Sequence, residues 1–246
     1  MTMLTSIRNE RLKLTTTRLP WLILGIAQLL VIAGISGKFV SGSDPNDPQT
    51  LLLAFSHVGL ASVLSLVVGI MAVAGEYRYR TITDTYLATP SRATVVAAKV
   101  VVYSAFGALI GIVSTATALV TAAAWLNAKD SVLSLGMEGA WKTIAGCIVW
   151  NICFGALGVG VGALVRNVVG AVSGALVWIA LVEGLVAQLI GDNGKWLAFR
   201  SGVALEGVSS PGLALLPQWG GGLMLVAYAG AMVTVALATS MRRDVT

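Results

Sequence analysis

The chain has 246 residues, 57% of them hydrophobic and only 11% charged, with a formal net charge of +5 and a mean hydropathy of +0.86. A soluble domain carries about 25% charged residues, so this composition excludes a surface that faces water all round. What remains is a chain suited to a bilayer.

Residues 3–18, MLTSIRNERLKLTTTR, interleave apolar and basic groups at helical spacing. Leu4, Ile7, Arg8, Arg11, Leu12 and Lys13 predict a short amphipathic helix along the inner membrane surface, its basic groups near anionic headgroups. Beyond it, six stretches are each apolar enough for a spanning helix, which needs about 20 residues. The predicted spans are approximately 19–38, 51–75, 98–126, 141–165, 168–190 and 217–240. The runs lack the alternation of barrel strands, so the expected fold class is all-α, a polytopic membrane protein forming one domain over 1–246. The first run is not read as a cleavable signal peptide, because four basic residues precede it and no convincing small-residue site follows. Pro20 and Trp21 open it, with Trp21 as an interfacial anchor. The loop GSDPNDPQ (42–49) reads as a short outer turn.

The second span carries His57, the sole histidine, near its outer end. It runs into GEYRYRTITDTYLATPSR (75–92), a dense cluster of charge and hydrogen-bonding groups between two spans. Glu76 and Arg80 stand at i and i+4, the favourable orientation for a helical ion pair. Arg78 and Arg80 can reach the headgroups. Thr81 to Ala88 reads as a short amphipathic helix, with Ile82, Tyr86 and Thr89 on one face and Thr83 and Asp84 on another. Thr89 is expected to cap the next helix, with Pro90 as its first residue. The apolar segment from Thr94 to Trp125 is too long for the bilayer, about 48 Å of helix against about 30 Å, so its start around Ala97–Lys99 is expected to project into the cytoplasm.

Cys147 and Cys153 lie on the fourth span, about 9 Å apart along the axis and too far apart to bond with each other. The same span carries Gly155, Gly158, Gly160 and Gly162, where Gly158 and Gly162 predict close helix packing, as Gly170 and Gly174 do in the fifth. Glu183 is the one ionisable residue deep in a predicted span. It must face protein or water, either bonded to a neighbouring helix or lining a path. Gln28, Asn151 and Glu183 are the candidate polar residues of a substrate path. Residues 191–218 are too polar to cross and too apolar for a free loop, so short outer helices are expected there.

No enzyme class finds its residues. GAVSG (170–174) has Ala171 where an intramembrane serine protease needs glycine, and no base is evident for a serine nucleophile. One histidine, two cysteines of one helix and scattered acids lack metal-ligand spacing. GDNGKW (191–196) lacks the glycine spacing and the following Ser or Thr of a phosphate loop. The chain is therefore expected to have no catalytic site and to bind no cofactor itself. A nucleic-acid partner is not expected, since no basic stripe or stacking motif is present. Lys and Arg count eleven on one side and five on the other, which places both termini in the cytoplasm.

Residues 74–99, AGEYRYRTITDTYLATPSRATVVAAK, resemble the loop after the second span of type 2 ABC-transporter permeases, the membrane subunits of many bacterial exporters. Glu76, Arg78, Thr81, Leu87, Pro90, Arg92 and Lys99 match that pattern. Arg80 replaces the glycine usual before the threonine, and Thr85 and Tyr86 replace two leucines. The glycine run ending Leu164-Val165-Arg166-Asn167 resembles the family's fourth span, and Arg242-Arg243-Asp244-Val245 resembles the ending of many actinobacterial members. The resemblance implies a multi-pass protein of the bacterial inner membrane, with the loop as a coupling helix in a groove of a cytoplasmic ATPase. Glu76, Arg78, Arg80, Thr81, Ile82, Asp84, Tyr86, Leu87, Pro90 and Arg92 would form that contact. It further implies two permease chains, identical or paralogous, and an ATPase dimer that holds ATP and Mg. Two alternatives stand beside it: an ion-coupled transporter or channel acting alone through Glu183, and a protein that anchors or assembles others.

Overall fold

The computed structural model describes residues 2–42, 44, 47–131, 139–208 and 212–240. All its regular structure is helical, and among the described residues no strand occurs. Six helical segments are long and apolar enough to cross a membrane: Arg18–Val40, Thr50–Arg78, Arg92–Asn127, Ala140–Val165, Val168–Trp196 and Gln218–Thr239. The chain is thus built as a multi-pass membrane protein.

In chain order, α1 (Met3–Thr16) precedes α2 (Arg18–Val40), the first span. The second span is assembled from α3 (Pro48–Phe55), α4 (His57–Leu60) and α5 (Ser62–Arg78). A short helix, α6 (Ile82–Ala88), leads into α7 (Arg92–Asn127). The fourth span is α8 (Ala140–Val165), and the fifth joins α9 (Val168–Val177) to α10 (Glu183–Ile190) through a π-helical turn at Trp178–Val182. A 3-10 turn at Gly191–Trp196 and α11 (Ala198–Glu206) precede the last span, α12 (Gln218–Ser240).

The boundaries differ most from expectation at two places. The helix of the third span begins at Arg92 rather than at Pro90, because Ser91, not Thr89, is the cap: its hydroxyl accepts from the Thr94 amide at 3.3 Å. Thr89 is held extended (φ −134°, ψ 92°) by the proline that follows it, and Pro90 stays outside the helix. The resulting α7 has 36 residues, about 54 Å of helix. The fifth span continues past 190 because the 3-10 turn prolongs it to Trp196. The segment Arg242–Val245 and parts of the 42–49 turn lie outside the described residues.

The core is organised on α8, which packs most closely against α5, α7 and α12. Glycine explains the intimacy of these contacts. A methyl on Gly158 would collide with the Leu66 carbonyl, and one on Gly162 would lie 2.6 Å from the Ile70 carbonyl, so α5 rides on two successive turns of α8. Gly69 seats the Gly155 carbonyl in return, and Gly155 seats that of Tyr103 on α7. By contrast, a methyl on Gly174 would meet nothing within 4 Å. Among the described residues Gly174 therefore seats no neighbouring helix, and the atoms nearest a methyl on Gly170 are those of Asn167 and Val165, just before it in sequence. About 60% of each of spans two to four is buried in the chain (61, 56 and 61%), against 22, 11 and 22% of spans one, five and six. The middle three form the block, and the others lie on its flanks.

Cys147 and Cys153 are both free and buried. His57 sits where the second span is broken, its Nδ1 bonded to the Leu53 and Ala54 carbonyls at 3.0 and 3.2 Å.

Candidate functional site

The charged loop is built by the way α5 ends. The Thr81 amide donates to the Glu76 carbonyl at 2.9 Å and the Arg80 amide to that of Tyr77 at 3.3 Å. This is a Schellman closure, which requires a left-handed residue between helix and exit. Arg80 occupies that position with φ of 58°. The helix therefore stops at Arg78, and the expected i, i+4 pair of Glu76 with Arg80 does not form.

Glu76 pairs instead with residues remote in sequence. Its Oε1 accepts from Lys99 Nζ at 2.8 Å and from Lys13 Nζ at 2.6 Å. Glu10 on α1 completes a four-membered cluster, with one oxygen 2.8 Å from Lys99 and the other 2.8 Å from Lys13. The Lys99 ammonium also donates to the Ala72 carbonyl at 2.9 Å, so its three hydrogens meet three acceptors. Its side chain is 1% exposed, those of Glu10 and Glu76 are 4 and 10% exposed, and that of Lys13 is 43% exposed. Burial pulls the Lys13 ammonium down, but Glu10 and then Glu76 outweigh it and hold the group above its ordinary 10.5. The second Glu76 oxygen is buried without a partner among the described residues.

α6 is fastened to this cluster from two sides. Lys13 reaches Thr85 Oγ1 at 3.3 Å. Tyr86 approaches Tyr77 of α5, hydroxyl to hydroxyl, at 3.5 Å, and Arg92 of α7 lies 5.0 Å from its ring centre. Arg166, between α8 and α9, stands 5.2 Å from the Tyr77 ring. Burial first, and the Tyr77 hydroxyl second, push the Tyr86 phenol well above its usual range. Ile82 and Thr89 turn inward, while Thr81, Thr83, Asp84 and Leu87 are exposed, Leu87 at 76%. Arg78, Arg80, Pro90 and Arg92 are placed around the same helix, with Arg78, Arg80 and Pro90 exposed and Arg92 half-buried. Glu10 was not singled out in the sequence, and Lys13, expected near lipid headgroups, pairs instead with Glu10 and Glu76. The i, i+3 spacing of Glu10 and Lys13 and the lone Lys99 inside TVVAAKVVVY were the only signals.

The candidate path residues are not brought together. Gln28 bridges α2 and α7, donating to Ser114 at 3.2 Å and accepting from Thr117 at 2.8 Å. Asn151 lies between α8 and α5, accepting from Ser65 at 2.8 Å and donating to the Val58 carbonyl at 3.1 Å. Glu183 accepts from the Phe199 amide at 2.9 and 3.1 Å and from Trp178 Nε1 at 3.3 Å, which makes it a cap for α11. It also lines a cavity of about 290 Å³ between α9–α10 and the block. No group of His, Cys, Asp and Glu able to hold a metal occurs among the described residues.

No protein-family model matches the chain, and no curated protein matches it in sequence.

Proposed function

We propose that the chain is the membrane subunit of an ABC transporter, an exporter that takes its energy from a separate cytoplasmic ATPase through α6. One observation carries this reading. A seven-residue helix between two spans presents Asp84 and Leu87 outward, while Thr85 and Tyr86 tie it to α1, α5 and α7. A soluble partner that pushes on Leu87 would move these helices together. The resemblance of residues 74–99 to the type 2 permease loop supports the same reading. So does the absence of a phosphate-loop pattern in the sequence, which leaves ATP to another chain.

On this reading the Glu10–Lys13–Glu76–Lys99 cluster transmits the push. It joins α1, the end of α5 and the start of α7 through contacts that are short and, at Lys99, buried. The partnerless Glu76 oxygen gives one of the ammonium groups a second acceptor when α6 shifts, a discrete alternative of the kind that switching elements require. Two copies of the chain, or this chain with a paralogue, would enclose the substrate route. The chain itself performs no covalent chemistry.

The test is co-purification with candidate cytoplasmic ABC ATPases co-expressed with the full chain. Leu87→Asp should abolish the complex while leaving the chain's own melting temperature unchanged, because Leu87 is 76% exposed. A complex that survives both this change and scrambling of Ile82–Leu87 would remove α6 from the coupling role.

A further inference from the structure

At the level of the charge cluster, a cavity of about 810 Å³ opens between α1, α2, α5 and α6. Its upper wall is hydrocarbon: Pro20 and Ile23 of α2, Val68 and Met71 of α5, and Tyr103 of α7. Its lower wall carries Lys13, Arg18 and Arg78 together with Glu10, Glu76 and Asp84. The size lies in the usual range for ligand pockets, about 300–1,000 Å³. A wall divided between apolar and ionic halves matches an amphiphile.

Charge selects which amphiphile. Glu10, Glu76, Lys13 and the buried Lys99 neutralise one another within the cluster. The remaining lining charges are Arg18 and Arg78 against Asp84, an excess of one positive charge. Both arginines are exposed, and among the described residues neither has a carboxylate within 4.0 Å. Arg78 stands over the Tyr79 ring, 5.8 Å from its guanidinium carbon to the ring centre. Arg18 opens the first span and Arg78 closes the second, so both stand at a membrane boundary, where lipid phosphates lie.

We propose that this cavity holds one anionic glycerophospholipid of the adjacent leaflet, its phosphodiester between Arg18 and Arg78 and one acyl chain along Ile23, Val68 and Met71. Arginine forks suit phosphate oxygens, and basic recesses between spanning helices take anionic headgroups. The single excess charge matches a phosphodiester bearing a neutral alcohol, such as phosphatidylglycerol, and disfavours a zwitterionic headgroup. The site depends only on the membrane-spanning architecture and not on any ATPase.

The test is native mass spectrometry of the purified full chain in detergent, titrated with dioleoyl phosphatidylglycerol or dioleoyl phosphatidylcholine. The wild type should retain one phosphatidylglycerol per chain, about tenfold more strongly than phosphatidylcholine. R18Q/R78Q should abolish that preference, whereas R8Q/R11Q, which changes two basic residues that do not line the cavity, should keep it. Met71→Trp fills the apolar half without altering charge and should remove the bound lipid of either kind. Equal retention of the two lipids by the wild type overturns the proposal. So does a preference that survives R18Q/R78Q, or a lipid that stays bound in Met71→Trp. If the double variant fails to melt cooperatively, Met71→Trp and the single variants R18Q and R78Q decide by the same criteria.

Discussion

Replacing Lys99 by methionine tests the central feature of the site. Methionine keeps an unbranched apolar stem of similar length, so packing is conserved and the ammonium alone is lost. Three hydrogen bonds disappear, to Glu10, Glu76 and the Ala72 carbonyl, at 2.8, 2.8 and 2.9 Å. Two carboxylates, 4 and 10% exposed, then share only Lys13. Breaking a buried pair by removing one partner costs roughly 3–5 kcal/mol, because the remaining charge is buried and uncompensated. For a chain of this size each kcal/mol moves the melting temperature by about 2–4 °C, so Lys99→Met should lower it by roughly 6–20 °C. Thermal unfolding in lipid nanodiscs, followed by tryptophan fluorescence, reads this directly. The variant E76Q/K99M restores neutrality, leaving Glu10 with Lys13, and should recover a large part of the loss. A Lys99→Met chain that melts within about 2 °C of wild type, or a double variant less stable than the single one, would refute the picture of a coupled buried cluster.

Three further outcomes follow from other positions. Arg80→Gly should stabilise the chain by about 1 kcal/mol, since a left-handed backbone at φ 58° costs about that much with a side chain and almost nothing with glycine; a denaturation midpoint that falls would contradict the assignment of the α5 terminus. On the opposite face, burial pushes the Glu206 carboxyl up to about 8 from its ordinary 4.5. The folded state therefore keeps a proton that the unfolded chain has released. Stability from this group is fully present below pH 4.5 and declines as pH rises to about 8, by up to about 1.4 kcal/mol per pH unit, and E206Q should flatten that slope in melting curves taken across the window. Finally, Glu183→Leu removes both acceptor oxygens and should cost about 1–3 kcal/mol by uncapping α11, and an unchanged melting temperature would show that the Phe199 and Trp178 bonds contribute nothing.

The spans were readable because charge is excluded from hydrocarbon, and runs without charge are visible in one dimension. α6 was readable for a similar reason, since Pro90 and the polar residues before it confine a helix to seven residues. The partners of Glu76 were not. The i, i+4 spacing to Arg80 implies a pair only if the helix continues, and the Schellman closure ends it two residues earlier. Lys13 and Lys99 lie 63 and 23 positions away, and nothing local in sequence reports that α1 folds back against α7. Glycine spacing was equally ambiguous. The pair in α8 meets α5, whereas the pair in α9 has the same spacing and Gly174 meets nothing among the described residues, because the pattern records permission for close approach and not the presence of a neighbour.

The seating of carbonyls on glycines between α5 and α8 has a mechanical consequence. Gly158 and Gly162 receive Leu66 and Ile70, and Gly69 receives Gly155, so the two helices mesh like a rack with matching teeth. Sliding α8 by one residue would drive Leu157 or Val159 into a backbone oxygen, and rotation would do the same to Ala156 or Val161. These helices can therefore travel only as one piece. A displacement applied at the Arg78 end is carried along α5 and α8 together, and because Gly160 seats Met232 of α12 in the same way, relative motion is left to α2 and the α9–α10 pair.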